Sequence, residues 1–239
     1  MTKPRDPTTI IVRRSLSLSR TYVLLSIAIA ANGIFFSSFG NMLARETPVV
    51  GDINSDIQTS VPLLSIPLMA TAALTLSIPV SLLFVYDKNN GVLERFLSLG
   101  LTQADIYKRY LKASIRLALV FLPAAIAVYL TVGWLAGSNM AVLLLASAVI
   151  VVLGLSVVTL VSMSMMSFSS MQKERVGANQ PVGIGIGGLV VIPYYVIPFG
   201  WPIPGAVRLE LAIAVAIGAA ALALLVLAGR LIKREKLLP

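Results

Sequence analysis

MAVLLLASAVIVVLGLSVVTLVSMSMM, running from Met140 to Met166, holds 27 consecutive residues without one Asp, Glu, Lys or Arg. A helix rises 1.5 Å per residue, so crossing about 30 Å of hydrocarbon takes roughly 20 apolar residues. This stretch is long enough. Working outward, five more uncharged stretches appear at about Tyr22–Phe39, Val61–Tyr86, Leu117–Leu135, Val182–Phe199 and Leu211–Ala228, which makes six. The whole composition agrees. Of 239 residues, 57% are apolar and 12% charged, against about 25% charged in an ordinary soluble chain. The expected fold is all-α: a polytopic membrane protein with six transmembrane helices, read as one domain over residues 1–239.

The first stretch follows Lys3, Arg5, Arg13, Arg14 and Arg20 and resembles a signal peptide. Its apolar run is too long for one, and Asn41-Met42-Leu43-Ala44 lacks small residues at the cleavage spacing, so it is read as a retained helix. The fifth stretch is expected to be broken or partly re-entrant. Gly183, Gly185, Gly187 and Gly188 crowd its start, Pro193 and Pro198 fall inside it, and Trp201, Pro202 and Pro204 follow.

The formal net charge is +9. In a soluble protein such a surplus would suggest nucleic acid, but its distribution points elsewhere. Seventeen of the 19 basic residues fall at the N-terminus, between Asp87 and Arg116, in the turn from Met171 to Gln180 and in the C-terminal tail. Only Arg45 and Arg208 fall on the other side, with Glu46, Asp52, Asp56 and Glu210. Basic residues mark the cytoplasmic side, so both termini are placed in the cytoplasm of a plasma-membrane protein. No nucleic-acid partner is inferred.

The chain has neither His nor Cys. Thiol nucleophiles, disulfides, His-based triads and imidazole or thiolate metal sites are therefore excluded, and no catalytic residue is assigned. Two motifs have a structural explanation. Gly183-Ile-Gly-Ile-Gly-Gly188 satisfies G-x-G-x-x-G as a string, yet it enters an apolar span and meets no acid before Glu210, which a dinucleotide loop would require. Close helix packing through small residues explains it better. The cluster from Ser162 to Met171 holds thioethers that suit Cu(I), although adaptable core packing by methionine is the stronger reading.

The N-terminal segment, residues 1–21, is read as an amphipathic interfacial helix. Arg13, Arg14 and Arg20 would meet anionic headgroups while Ile10, Ile11, Leu16 and Leu18 face acyl chains. The cytosolic segment 87–116 is patterned more sharply. Asn90-Gly91 signals a turn, and Leu93, Phe96 and Leu97 recur at helical spacing beside Glu94 and Arg95. Gly100 then ends the short helix, and Thr102 caps the next with Asp105 in its first turn. The result is a short amphipathic helix between spans two and three.

Asp87, Gly91-Val92-Leu93-Glu94 and the following Leu97, Ser98, Leu99, Thr102, Ile106 and Lys108 or Arg109 together resemble the signature of ABC-2 type ABC-transporter permeases. Val92 stands where that family has Thr, and Gly100 where it has Pro. The family shares six spans, cytosolic termini, an N-terminal amphipathic helix and a broken region between its last two spans. The resemblance implies a permease that pairs with a second permease subunit, as a homodimer or paired heterodimer, and carries separate ABC ATPase subunits on its cytosolic face. The short helix would be the coupling helix, with Asp87, Gly91, Leu93, Glu94, Arg95, Phe96, Leu97 and Leu99 forming or framing the ATPase contact. Glu94 would be its key acid, and the N-terminal helix a second contact. Cargo would pass between the permease halves, and export is the family expectation.

The residues add one independent argument. The six stretches contain no ionisable side chain of the kind a proton- or ion-coupled carrier keeps in its spans, and no G-x-x-x-x-G-K-[ST] loop is present. Any ATP and Mg would therefore be bound by a partner, with no cofactor in this chain. The rival class is an ATP-independent channel or scaffold, in which Asn32, Ser37, Ser38 and Asn41 would line a pore.

Overall fold

Helices are the one way an unpaired apolar segment can satisfy its backbone in lipid. The computed structural model describes residues 7–46, 63, 65–167, 180–200 and 203–231, and its regular structure there is helical throughout, with no strand. An N-terminal helix α1 (Pro7–Leu18) turns at Ser19 into α2 (Arg20–Glu46). The long α3 (Ser65–Asn89) is followed by the seven-residue α4 (Val92–Ser98) and by α5 (Gln103–Leu135). Then come α6 (Met140–Ser167), α7 (Gln180–Gly200) and α8 (Ile203–Leu231).

Five described stretches are long and apolar enough to cross a membrane: Arg20–Gly40, Ser65–Asn89, Gln103–Leu135, Met140–Ser167 and Arg208–Leu227. The chain is a multi-pass membrane protein. The described apolar part of α7, Ile184–Val196, is shorter than a full crossing.

The bundle is built around α3, which packs against α1, α2, α4, α5, α6 and α7. Its apolar window is 89% buried, against 22% for α5 and 17% for α8. Small residues allow this. Ala70, Ala72, Ala73, Ser77 and Ser81 are all buried, and hydroxyls bond back to their own helix, as in Thr75 to the Thr71 carbonyl at 2.8 Å and Ser81 to that of Ser77 at 3.2 Å. Two hydrophobic clusters result. The larger one joins α2, α3, α5, α6, α7 and α8 through residues such as Met69, Leu122, Leu153 and Tyr194. The second gathers Ile11 of α1, Phe84 of α3, Leu93 of α4, Tyr107 and Tyr110 of α5, and Met163 and Met166 of α6 at one end of the bundle.

Several sequence expectations change. The fifth apolar stretch, expected to be broken or partly re-entrant, is continuous where described: α7 runs as one helix from Gln180 to Gly200, through Pro193 and Pro198, and Trp201 and Pro202 lie outside the described residues. A proline removes one backbone bond, and neighbouring helices compensate for such losses in a bundle. Here α7 lies against α3 and α6, so closely at Gly187 that an added Cβ would overlap the Leu74 side chain. Likewise segment 87–116 is chiefly helix. The 33 residues of α5 extend for about 50 Å, well beyond the hydrocarbon thickness, so its charged first half, with Lys108, Lys112 and Arg116, continues the rod past the apolar part. The last helix starts at Ile203, ahead of the expected Leu211, and so includes Arg208 and Glu210. Residues 1–6, 47–62, 64, 168–179, 201–202 and 232–239, including Met171 and the tail beyond Leu231, lie outside the described residues.

Candidate functional site

The connection from α3 to α5 is determined locally, bond by bond. The amides of Asn90 and Gly91 donate to the carbonyls of Tyr86 and Lys88 at 3.1 and 3.0 Å. Gly91 itself has φ of 69°, a left-handed geometry that costs a side-chain-bearing residue about 1 kcal/mol or more. The far end of α4 is closed by a paired C-terminal motif. Leu101 N–H donates to the Phe96 carbonyl and Gly100 N–H to that of Leu97, at 3.1 and 3.0 Å, with Gly100 at φ 83°. Two residues on, Thr102 and Asp105 form a reciprocal capping box, each backbone N–H donating to the other's side chain at 3.2 Å. Seven residues of helix are thus bracketed between two long helices.

This geometry sorts the expected docking residues into two sets. Leu93 is fully buried in the second cluster, and Phe96 and Leu97 are half-buried against it. Glu94 and Arg95 are exposed, and Leu99 is 73% exposed. The surface therefore offers one acid, one base and one bare leucine, on a helix anchored from behind.

Asp87 belongs to neither set. Its carboxylate has no exposure and accepts two bonds from the Arg14 guanidinium, at 3.1 and 2.7 Å, and one from the Tyr110 hydroxyl at 2.5 Å. The tyrosine ring is set edge-on to Phe84, with centroids 5.2 Å apart. A bidentate guanidinium–carboxylate pair is among the stronger polar contacts available. It ties α1 to α3 and α5, and Arg116 adds a bond to Thr9 at 3.1 Å. The inward face of α1 is consequently Thr8, Ile11 and Ser15, while Ile10 and Leu18 are exposed. Arg14 thus bonds within the protein, and Arg13 and Arg20 remain exposed.

Sequence reasoning did not identify Tyr107 and Tyr110. Both are buried, and the Tyr107 hydroxyl donates to the Met163 carbonyl at 3.1 Å. Their spacing of three on the charged start of α5 was the available signal, since it puts two amphipathic rings on one helix face. The methionine cluster is core as far as it is described, with Met163, Met165 and Met166 all buried.

Elsewhere, Glu210 corrects the expectation that the spans hold no ionisable group. It lies in the apolar stretch Arg208–Leu227, 1% exposed, and neither carboxylate oxygen has a hydrogen-bond partner among the described residues. Of the residues proposed for a pore, Asn32 is exposed and donates to its own helix at Ala28, Ser37 and Ser38 are buried, and the Asn41 side chain lies outside the described residues. Among the described residues no group of three His, Cys, Asp or Glu could hold a metal ion. Comparison of the chain with protein-family models, with curated proteins and with solved structures finds no match.

Proposed function

We propose that this chain is the transmembrane subunit of an ABC-2 type ATP-driven transporter, an exporter that forms its cargo path as a dimer and receives the work of ATP hydrolysis from separate ATPase subunits. One observation carries the reading: α4 is a short helix set off by a left-handed glycine at each end, Gly91 and Gly100, closed at its C-terminal end, anchored through Leu93 and presenting Glu94, Arg95 and Leu99 outward. A free loop needs no such bracing. A knob that must transmit force to two long helices does, because slack at either end would dissipate the movement. In this reading six spans cross the membrane, α7 being the fifth in order and joining the five long ones, α4 is the coupling helix, and both termini are cytoplasmic.

Asp87 then acts by position. It holds α1 against the base of the coupling unit, so that an ATPase pressing on α4 moves α1, α3 and α5 together. The exposed contact falls to Glu94, Arg95 and Leu99, with Phe96 and Leu97 partly behind them.

The test is co-purification with a P-loop ATPase expressed from the same source. Glu94→Arg with Leu99→Asp is expected to reduce recovery of the ATPase at least tenfold while the melting temperature stays unchanged, since both side chains face solvent. Leu93→Ala is the contrasting variant, expected to destabilise by about 2–5 kcal/mol as a buried leucine truncation. Recovery of the ATPase undiminished by the double variant would refute the docking role of α4.

A further inference from the structure

We propose that the elbow between α1 and α2 is a binding site for one anionic phospholipid from the leaflet on the basic side of the membrane. The proposal goes beyond the transport reading and does not depend on ATPase docking. A cavity of about 540 Å³ lies at the elbow, lined by Arg13, Leu16, Ser17, Arg20, Val23 and Leu24. Helix α1 ends at Leu18 and α2 begins at Arg20, with Ser19 the one residue between them. The last two turns of one helix and the first turn of the next share the hollow.

Charge complementarity identifies the occupant. Arg13 and Arg20 are exposed, and neither forms a hydrogen bond or ion pair with another described residue. Their neighbours differ, since Arg14 is bound to Asp87 and Arg116 to Thr9. Ser17 donates its hydroxyl proton to the Arg14 carbonyl at 2.8 Å, which leaves the two guanidiniums as the donors facing the hollow. Two planar cations suit a phosphodiester. The remainder of the lining is apolar, and it continues onto the exposed Leu24, Leu25 and Ile27 of α2. A soluble phosphate would leave that apolar wall unused, whereas a phospholipid fills both parts, with its headgroup between the arginines and an acyl chain along Leu16, Val23 and Leu24.

Native mass spectrometry of the full chain released from nanodiscs of mixed phosphatidylglycerol and phosphatidylcholine tests this. One phosphatidylglycerol is expected to remain bound, and Arg13→Gln with Arg20→Gln is expected to reduce its occupancy at least tenfold. Arg13→Lys with Arg20→Lys should retain a measurable share. Lys108→Gln with Lys112→Gln, which removes two exposed charges from α5, should retain the full occupancy. Equal loss in that control pair would reduce the effect to general surface charge and overturn the proposal. Displacement by millimolar glycerol phosphate would make it a soluble-anion site instead, also against the proposal. Unchanged lipid occupancy in the glutamine pair, with or without loss of ATPase co-purification, would overturn it as well, the former assigning the arginines to a protein contact.

Discussion

Asp87 is the residue whose surroundings differ most from its place in the sequence. It precedes the Asn90-Gly91 turn and is followed by Lys88 and Asn89, a setting that looks solvated. Its partners lie 73 residues upstream and 23 downstream, so nothing near it in the chain signals that its carboxylate is buried. The pair is asymmetric, because the Arg14 side chain is 43% exposed and the Asp87 side chain is not exposed at all. Removing the arginine strands a buried charge with one tyrosine hydroxyl. Fully buried pairs lose about 3–5 kcal/mol on such a change, and partial exposure lowers that, so Arg14→Ala is expected to destabilise by about 2 kcal/mol. Hydrogen exchange should show the loss first in residues 7–18. Asp87→Asn in the same chain should recover part of it, and a double variant no better than Arg14→Ala would show that the pair is not coupled.

Helix ends are where the sequence was most legible. The turn at Asn90-Gly91, the stop at Gly100 and the cap at Thr102 each follow from a residue's own backbone preference within a few positions, and each was readable for that reason. The interruption expected in α7 failed on the same ground. Local preference argues for a break at Pro193, but contact with α3 and α6 at Gly187 is tertiary and invisible in a local reading. Similarly, the charges of α5 suggested a loop, although a helix of this length carries charge wherever it leaves the hydrocarbon. At this scale the paired closure of α4 can be tested directly. Gly100→Ala places a side chain at φ 83° with open space around it, so the penalty is conformational alone, about 1 kcal/mol. Thr102→Ala removes the reciprocal cap for about another 1 kcal/mol. Chemical denaturation in detergent should read the sum of the two, and a combined loss below about 0.5 kcal/mol would show that neither the C-terminal closure of α4 nor the cap of α5 contributes to stability.

For the whole molecule, composition revealed the class directly, because the bilayer demands long apolar runs. Which helix occupies the centre was not readable, since α3 and α6 are both apolar all round. The missing cysteine makes the orientation easy to test. Single-cysteine variants at Ser98, exposed on α4, and at Asn139, exposed between α5 and α6, should react with a membrane-impermeant maleimide from opposite sides. Intact cells should label Asn139→Cys and leave Ser98→Cys unlabelled until lysis, whereas the reverse would invert the topology. The central position of α3 also bears on how the chain is made. It is synthesised after α2, yet α5, α6 and α7, which also pack against it, are synthesised later. Its alanines and serines must therefore face lipid or the insertion machinery until those helices have been made. Membrane entry of α3 and its burial are separate events in time, and a chain truncated after Asn89 would be threaded through the membrane but left unassembled, a substrate for membrane proteolysis.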